Sequence, residues 1–200
     1  MSETVVAPST FGDGGADSIY FLMHDSWSWE MRSNRWHYAL RWARHLPVVL
    51  VQPVLRNDDE PSVSLPEPRI PNVRILTVRT TQPPFCELTT GIVQARQLHE
   101  DMIANGYSRP ILWTYNPDYL FASEILPASM RVFHATENYF YFDRLTHGFI
   151  ERLKRLLAIT DLVIGVSEGV AASHRPFAKG VTKAVTNGCD FFFYNTRQRD

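Results

Sequence analysis

Residues 160–170 read TDLVIGVSEGV and contain the pair of elements that decides the fold. The segment 162–166 is a short, continuous apolar run of the kind that forms a strand buried on both faces. Ser167 follows at once in the position of a helix N-cap, and Glu168 in the first turn favours the helix dipole. A buried strand that leads directly into a capped helix is the repeating unit of a parallel α/β sheet.

The rest of the chain repeats this unit in both directions. Helical segments are predicted from Ser33 or Asn34, across 87–105 with Gly106 as the stop, from 116–118, and across 149–159. They alternate with further apolar runs of strand length, at 19–23, 48–54, 73–78, 110–115, 131–135 and 181–185. We therefore predict a doubly wound, mostly parallel, Rossmann-like α/β sheet of about seven strands.

The length and composition indicate a single domain. The chain has 200 residues with 44% hydrophobic content, enough for one buried core. We expect a flexible, polar N-terminal tail at 1–18 and one Rossmann-like domain at 19–195. Between the second and third predicted strands, 57–71 contains four prolines and several acids and is predicted to be a surface loop.

Charge and cysteine content exclude several classes of protein. The net charge of −1 argues against a nucleic-acid binder, which normally has a concentrated basic face. The two cysteines lie far apart and do not have the spacing of metal ligands. We expect a cytoplasmic protein, with the inner face of the membrane as a second expectation. Arg152, Lys154 and Arg155 raise that second expectation, although an ordinary solvated helix face is the favoured interpretation. No dinucleotide fingerprint, phosphate-binding P-loop or zinc pattern is present.

Candidate site residues follow the predicted strands, because ligands of such folds bind outside the carboxyl ends of the strands. Their His, carboxylate, amide and aromatic side chains suit a ligand rich in hydroxyl groups. They are His24, Asp25, Trp27 and Trp29 after the first strand, Asn116 after the fourth, His134, Glu137, Asn138 and Tyr139 at the fifth, and Ser167 after the sixth. Arg32 and Arg35, near the start of the first helix, are placed to meet a phosphate.

Eight of the candidates also have a structural interpretation that the sequence leaves open. His134 suits a core or rim position, and Glu137 and Asn138 suit a helix cap. Arg32 and Arg35 suit solvent. Asp25, Trp27 and Trp29 suit a turn and loop packing.

Several segments in order resemble glycosyltransferases of the GT-B type. Residues 160–170 and VTNGCDF at 185–191 resemble segments of family-4-like members. RWH at 35–37 with VLVQP at 49–53, ILWTYNP at 111–117 and RVFHATENY at 131–139 are similar to teichuronic-acid-type members. The resemblance extends over residues 19–193.

The resemblance implies transfer of a sugar from a nucleotide-diphosphate sugar to a glycan or glycolipid acceptor, with neither a metal nor a cofactor. This chain would be the N-terminal, acceptor-side half, inactive alone, with 196–200 beginning the linker to a donor-binding domain or partner chain. The implied roles are catalytic for His134, Glu137 and Asn138; acceptor-binding for Asp25, Trp27, Trp29, Asn116 and Tyr139; and donor-phosphate binding for His24, Arg32, Arg35 and Ser167.

The sequence departs from the resembled family at two places in the predicted site. The loop HDSWSW at 24–29 replaces a Gly-Gly pair, and Glu137-Asn138 replaces paired aspartates. A non-catalytic α/β module that binds a glycan or a partner chain therefore stays open as an alternative. A flavodoxin-like or nucleotide-binding regulator is a third, weaker alternative. A bound flavin would absorb visible light, and we expect the purified protein to be colourless.

Overall fold

The computed structural model describes residues 15–23, 34–55, 63–67, 70–80, 88–142, 145 and 147–186. Strands and helices alternate along these residues, as the sequence predicts. The strands are β1 (Ser18–Leu22), β2 (Val48–Leu55), β3 (Val63–Pro66), β4 (Val73–Thr80), β5 (Pro110–Thr114), β6 (Met130–Ala135), β7 (Leu162–Gly165) and β8 (Val181–Ala184). The helices are α1 (Asn34–Trp42), α2 (Leu88–Ala104), α3 (Leu120–Ile125), α4 (His147–Leu157) and α5 (Glu168–His174).

The strands form one sheet in the order β3-β4-β2-β1-β5-β6-β7-β8. Every neighbouring pair is parallel except β3 and β4, which are antiparallel. The doubly wound, mostly parallel sheet is therefore confirmed. From β1 the chain first builds the sheet outward through β2 and β4, and it then returns to place β5 on the other side of β1. This reversal opens a crevice at the carboxyl ends of β1 and β5, where α/β folds of this kind bind their ligands.

Both faces of the sheet are covered, which explains why the strands are mostly apolar. Ile19 and Phe21 of β1 belong to the core cluster beside α1, which includes Ala39. Tyr20 and Leu22 belong to the opposite cluster, which includes residues of α2 and α3. A third cluster joins β6 and β7 to α4 through Leu153, Leu156 and Leu157.

The seven predicted strands are confirmed to within two residues at their ends. Helix α2 ends at Ala104, and Gly106 has a φ of 71°, the left-handed conformation predicted for the stop. Helix α4 begins two residues earlier than predicted, at His147. Residues 1–14 and 187–200 lie outside the described residues, so the expected linker at 196–200 stays a prediction.

One prediction about the fold is wrong. The segment 57–71 is not loop throughout, because β3 occupies Val63–Pro66 and pairs with β4 at the sheet edge. Pro66 is the last residue of this four-residue edge strand, a position where a missing N–H costs little. Pro66 is thus compatible with a short edge strand.

Candidate functional site

Six predicted site residues lie at the carboxyl ends of β5, β6 and β7, at the crevice or next to it. They are Asn116, His134, Glu137, Asn138, Tyr139 and Ser167. A seventh, Arg35, lies in the first turn of α1, the helix that follows β1. His24, Asp25, Trp27, Trp29 and Arg32 lie outside the described residues and stay predictions.

His134, the residue before the last of β6, is fully buried. Its ring centroid lies 5.3 Å from that of Tyr38, 6.0 Å from that of Trp113 and 5.1 Å from that of Tyr115. Within the described residues neither ring nitrogen has a hydrogen-bond partner. Burial, with a smaller effect of the Arg35 charge, lowers the pKa of His134 to about 4, so the imidazole is neutral near pH 7. A ligand reaches this ring only if the side chains around it move.

Arg35 connects the start of α1 to the end of β5. Its guanidinium carbon lies 5.4 Å from the centroid of the Tyr115 ring, within the range of a cation–π contact. Together, the guanidinium and the N-terminal N–H groups of α1 provide positive potential beside the crevice. The arrangement suits an anionic group such as a phosphate.

The loop after β5 is held rigidly by its own hydrogen bonds. The side-chain oxygen of Asn116 accepts from the backbone N–H of Asp118 at 2.9 Å and caps the 3-10 turn Pro117–Tyr119. Asp118 forms an ion pair with Arg152 at 2.8 Å, and the Tyr119 hydroxyl donates to the Met23 carbonyl at 2.7 Å. The end of β5 is thereby fastened both to α4 and to the end of β1.

The loop after β6 carries three site residues with different exposure. Glu137 is exposed, whereas Asn138 and Tyr139 are half-buried. Asn138 precedes the 3-10 turn Tyr139–Tyr141 but makes no side-chain cap hydrogen bond there, so the capping interpretation does not hold for Asn138. The Tyr139 hydroxyl lies 3.2 Å from the Thr136 hydroxyl, and burial raises the pKa of Tyr139.

Ser167 caps α5, as the sequence predicts. Its hydroxyl oxygen accepts from the backbone N–H of Val170 at 3.2 Å, and Ser167 itself is exposed. The helix approaches the sheet closely, because a Cβ on Gly165 would lie 2.5 Å from the backbone nitrogen of Ala171. Glycine at the end of β7 therefore determines where Ser167 is held.

The basic side chains of α4 are neutralised by acidic neighbours. Arg152 pairs with Asp118 at 2.8 Å, Lys154 with Glu151 at 2.9 Å, and Arg155 with Glu124 at 2.7 Å. Across the described ranges no helix is both long and apolar enough to cross a membrane. No group of three or more His, Cys, Asp or Glu side chains comes together there as a metal site.

Sequence reasoning missed the two exposed aromatic side chains of the β6 loop, Tyr141 and Phe142. The signal was the run Tyr139-Phe140-Tyr141-Phe142, directly after the predicted Glu137 and Asn138. Nothing in this run shows which rings are buried, so only the structure separates the exposed pair.

Neither a protein-family model nor a curated protein matches this sequence. Solved structures do match. A chain of sucrose-phosphate synthase from Thermosynechococcus elongatus superimposes with a TM-score of 0.60 and 13% identity, covering 91% of this chain and 95% of that one. The fold is that of a GT-B glycosyltransferase domain.

Two further matches support the same fold. The catalytic domain of starch synthase IV from Arabidopsis thaliana gives a TM-score of 0.53 with 10% identity over 90% of this chain. A trehalose-6-phosphate structure from E. coli gives 0.51 with 11% identity over 86% of this chain. This chain spans 53% of that starch synthase domain, 45% of the E. coli chain and 49% of a longer sucrose-phosphate synthase chain.

Proposed function

We propose that this chain is the acceptor-side domain of a GT-B-type glycosyltransferase. The enzyme would move a sugar from a nucleotide-diphosphate sugar to a glycan or glycolipid acceptor. The observation that carries the proposal is the match of 91% of this chain to sucrose-phosphate synthase at a TM-score of 0.60. The starch synthase IV structure is bound to ADP and acarbose, and the E. coli structure to UDP-2-fluoro glucose, which supports a nucleotide sugar as donor.

The acceptor would bind at the loops after β5 and β6. Glu137 is exposed there, and its carboxylate can accept a hydrogen bond from an acceptor hydroxyl. Asn138 and Tyr139, on the same loop, would orient the sugar, with Asn116 holding the neighbouring loop in shape. The neutral, buried ring of His134 would act beneath them as a positioning residue.

The donor diphosphate would lie toward α1 and α5. The guanidinium of Arg35 and the hydroxyl of Ser167 are groups that can stabilise the diphosphate as it leaves, a task that oriented dipoles and cations perform without a metal. Residues of the loop after β1 would complete this side. No cofactor is proposed.

The donor-binding half would come from a second domain or a partner chain. This chain spans about half of the longer glycosyltransferase chains that it matches, for example 49% of sucrose-phosphate synthase. We therefore expect residues 1–200 alone to bind an acceptor without turnover. A non-catalytic module that binds a glycan or partner chain is the alternative, and it predicts no transfer even when the donor half is supplied.

The experiment uses the natural polypeptide that contains this chain, with labelled nucleotide-diphosphate sugars and a panel of glycan acceptors. We expect transfer of label, a raised donor KM for Arg35→Ala and a reduced kcat for Glu137→Gln. Arg96→Ala and Glu100→Gln are matched controls, because these exposed side chains pair with each other on α2. Transfer that is insensitive to both site variants would contradict the proposed site.

A further inference from the structure

The four consecutive aromatic residues of the loop after β6 differ in their exposure. Tyr139 and Phe140 are half-buried, whereas Tyr141 is 77% exposed and Phe142 is 48% exposed. Exposed aromatic rings beside a polar site are a common mark of a binding surface. The exposed pair follows Glu137 by only a few residues, so it borders the proposed acceptor site.

The exposed pair has a firm base. The Tyr139 ring lies 5.6 Å from that of Phe149 and 6.4 Å from that of Phe142, and the Phe140 ring stacks on that of Phe177 at 4.7 Å. The Tyr141 backbone N–H donates to the Asn138 carbonyl at 3.1 Å and closes the turn. A loop anchored in this way loses little conformational entropy when a ligand binds, which favours affinity.

Among the described residues, the basic side chains near Phe140 and Phe177, on which this loop rests, have acidic neighbours. Lys154 lies 5.6 Å from the Phe177 ring centroid, but it pairs with Glu151 at 2.9 Å. Arg175, next along this surface, lies 4.0 Å from a Glu168 oxygen. A surface for anionic lipid would present an excess of free basic side chains. Here each of these cations is offset by a carboxylate.

We propose that Tyr141 and Phe142 form a stacking platform for a neutral sugar ring of the acceptor, beyond the position where transfer occurs. One face of a pyranose presents C–H groups, which an aromatic ring covers, while Glu137 is left to the sugar at the position of transfer. Tyrosine suits this role because its ring is apolar and its hydroxyl is polar. The inference rests on the proposed function and deepens it: the acceptor is an oligosaccharide chain and not a single sugar.

The test measures binding of neutral glycans to the 200-residue chain, first on an array and then in solution with a single sugar and longer oligosaccharides of the best series. We expect the oligosaccharide to bind more tightly than the single sugar. The double variant Tyr141→Ala/Phe142→Ala should weaken the oligosaccharide by about tenfold and leave the single sugar unchanged, whereas Tyr141→Trp should retain binding. Ile103→Ala and Ile125→Ala, exposed apolar positions on α2 and α3, are the matched controls.

Several results would overturn the platform. They are equal oligosaccharide binding by the double variant, no neutral glycan bound by the parent chain, and sedimentation with phosphatidylcholine vesicles that the double variant abolishes. The transfer assay with the natural polypeptide separates this failure from failure of the proposed function. Transfer to the oligosaccharide acceptor that is unchanged in the double variant would refute the platform and keep the glycosyltransferase.

Discussion

Gly165 ends β7 directly beneath α5, and an alanine there has no room for its methyl group. A Cβ would lie 2.5 Å from the Ala171 nitrogen, 2.8 Å from its Cα and 3.0 Å from its Cβ. Two of these atoms are backbone, so the helix itself must move. Overpacking in a core costs about 1–3 kcal/mol. Since no side-chain rotation relieves this contact, we expect Gly165→Ala to lower the free energy of unfolding by about 2–3 kcal/mol.

Gly169→Ala, in the neighbouring helix α5, is the matched control. The nearest atom to its added Cβ is the Ser167 hydroxyl oxygen at 3.9 Å, which is ordinary contact. Alanine is favoured over glycine within a helix by up to about 1 kcal/mol, so this variant should be neutral or slightly stabilised. Urea unfolding followed by tryptophan fluorescence measures both, with the buried Trp113 as a reporter. A Gly165→Ala protein within about 0.5 kcal/mol of the parent would show that α5 leaves room for the methyl group, because changes of that size are typical of surface positions.

Three further predictions concern one buried and two half-buried polar groups. The pKa of His134 is about 4 in the folded chain, compared with about 6.5 in the unfolded chain. As the pH falls, the unfolded state therefore binds the proton first. The free energy of unfolding should decrease by about 3 kcal/mol between pH 6.5 and pH 4. His134→Phe should flatten this acid limb of the unfolding free energy, and an unchanged limb would contradict it. Asn116→Ala should lower the free energy of thermal unfolding by about 1 kcal/mol, because the cap is lost. Asn116→Asp should retain most of the stability, because its carboxylate can still accept the cap hydrogen bond. Asp101 accepts two 2.7 Å hydrogen bonds from Arg74. Asp101→Ala should therefore lower the free energy of unfolding in urea by about 3 kcal/mol. A decrease below about 1 kcal/mol would exclude a strong ion pair.

The fold could be predicted because its signals are local in the sequence. Most residues of the strands inside the sheet are apolar, although β4 includes Arg74 and Thr77. Ser167 and Gly106 mark a helix start and a helix end through their own side-chain and backbone chemistry. The edge strand β3 escaped prediction because its pairing with β4 comes from the sheet and not from the residues 63–66 themselves.

The candidate site could be predicted only as a set of positions. The end of a strand is visible in sequence, so Asn116 and Glu137 fall at the expected edge of the sheet. The depth of a side chain is not visible: His134 is enclosed by rings from α1 and β5, which are far away along the chain. The neutralisation of Arg155 by Glu124 likewise joins residues of two helices, and it becomes visible only when those helices meet.

The most direct test of the account is a sugar-transfer measurement on the natural polypeptide that contains this chain. Labelled nucleotide-diphosphate sugars are supplied with the best-binding glycan, and both the labelled product and the released nucleoside diphosphate are measured. We expect transfer that depends on Glu137 and Arg35 and that is absent for residues 1–200 alone. A folded polypeptide that binds the glycan and yet transfers no sugar from any donor in the panel would contradict the enzyme and leave a binding module.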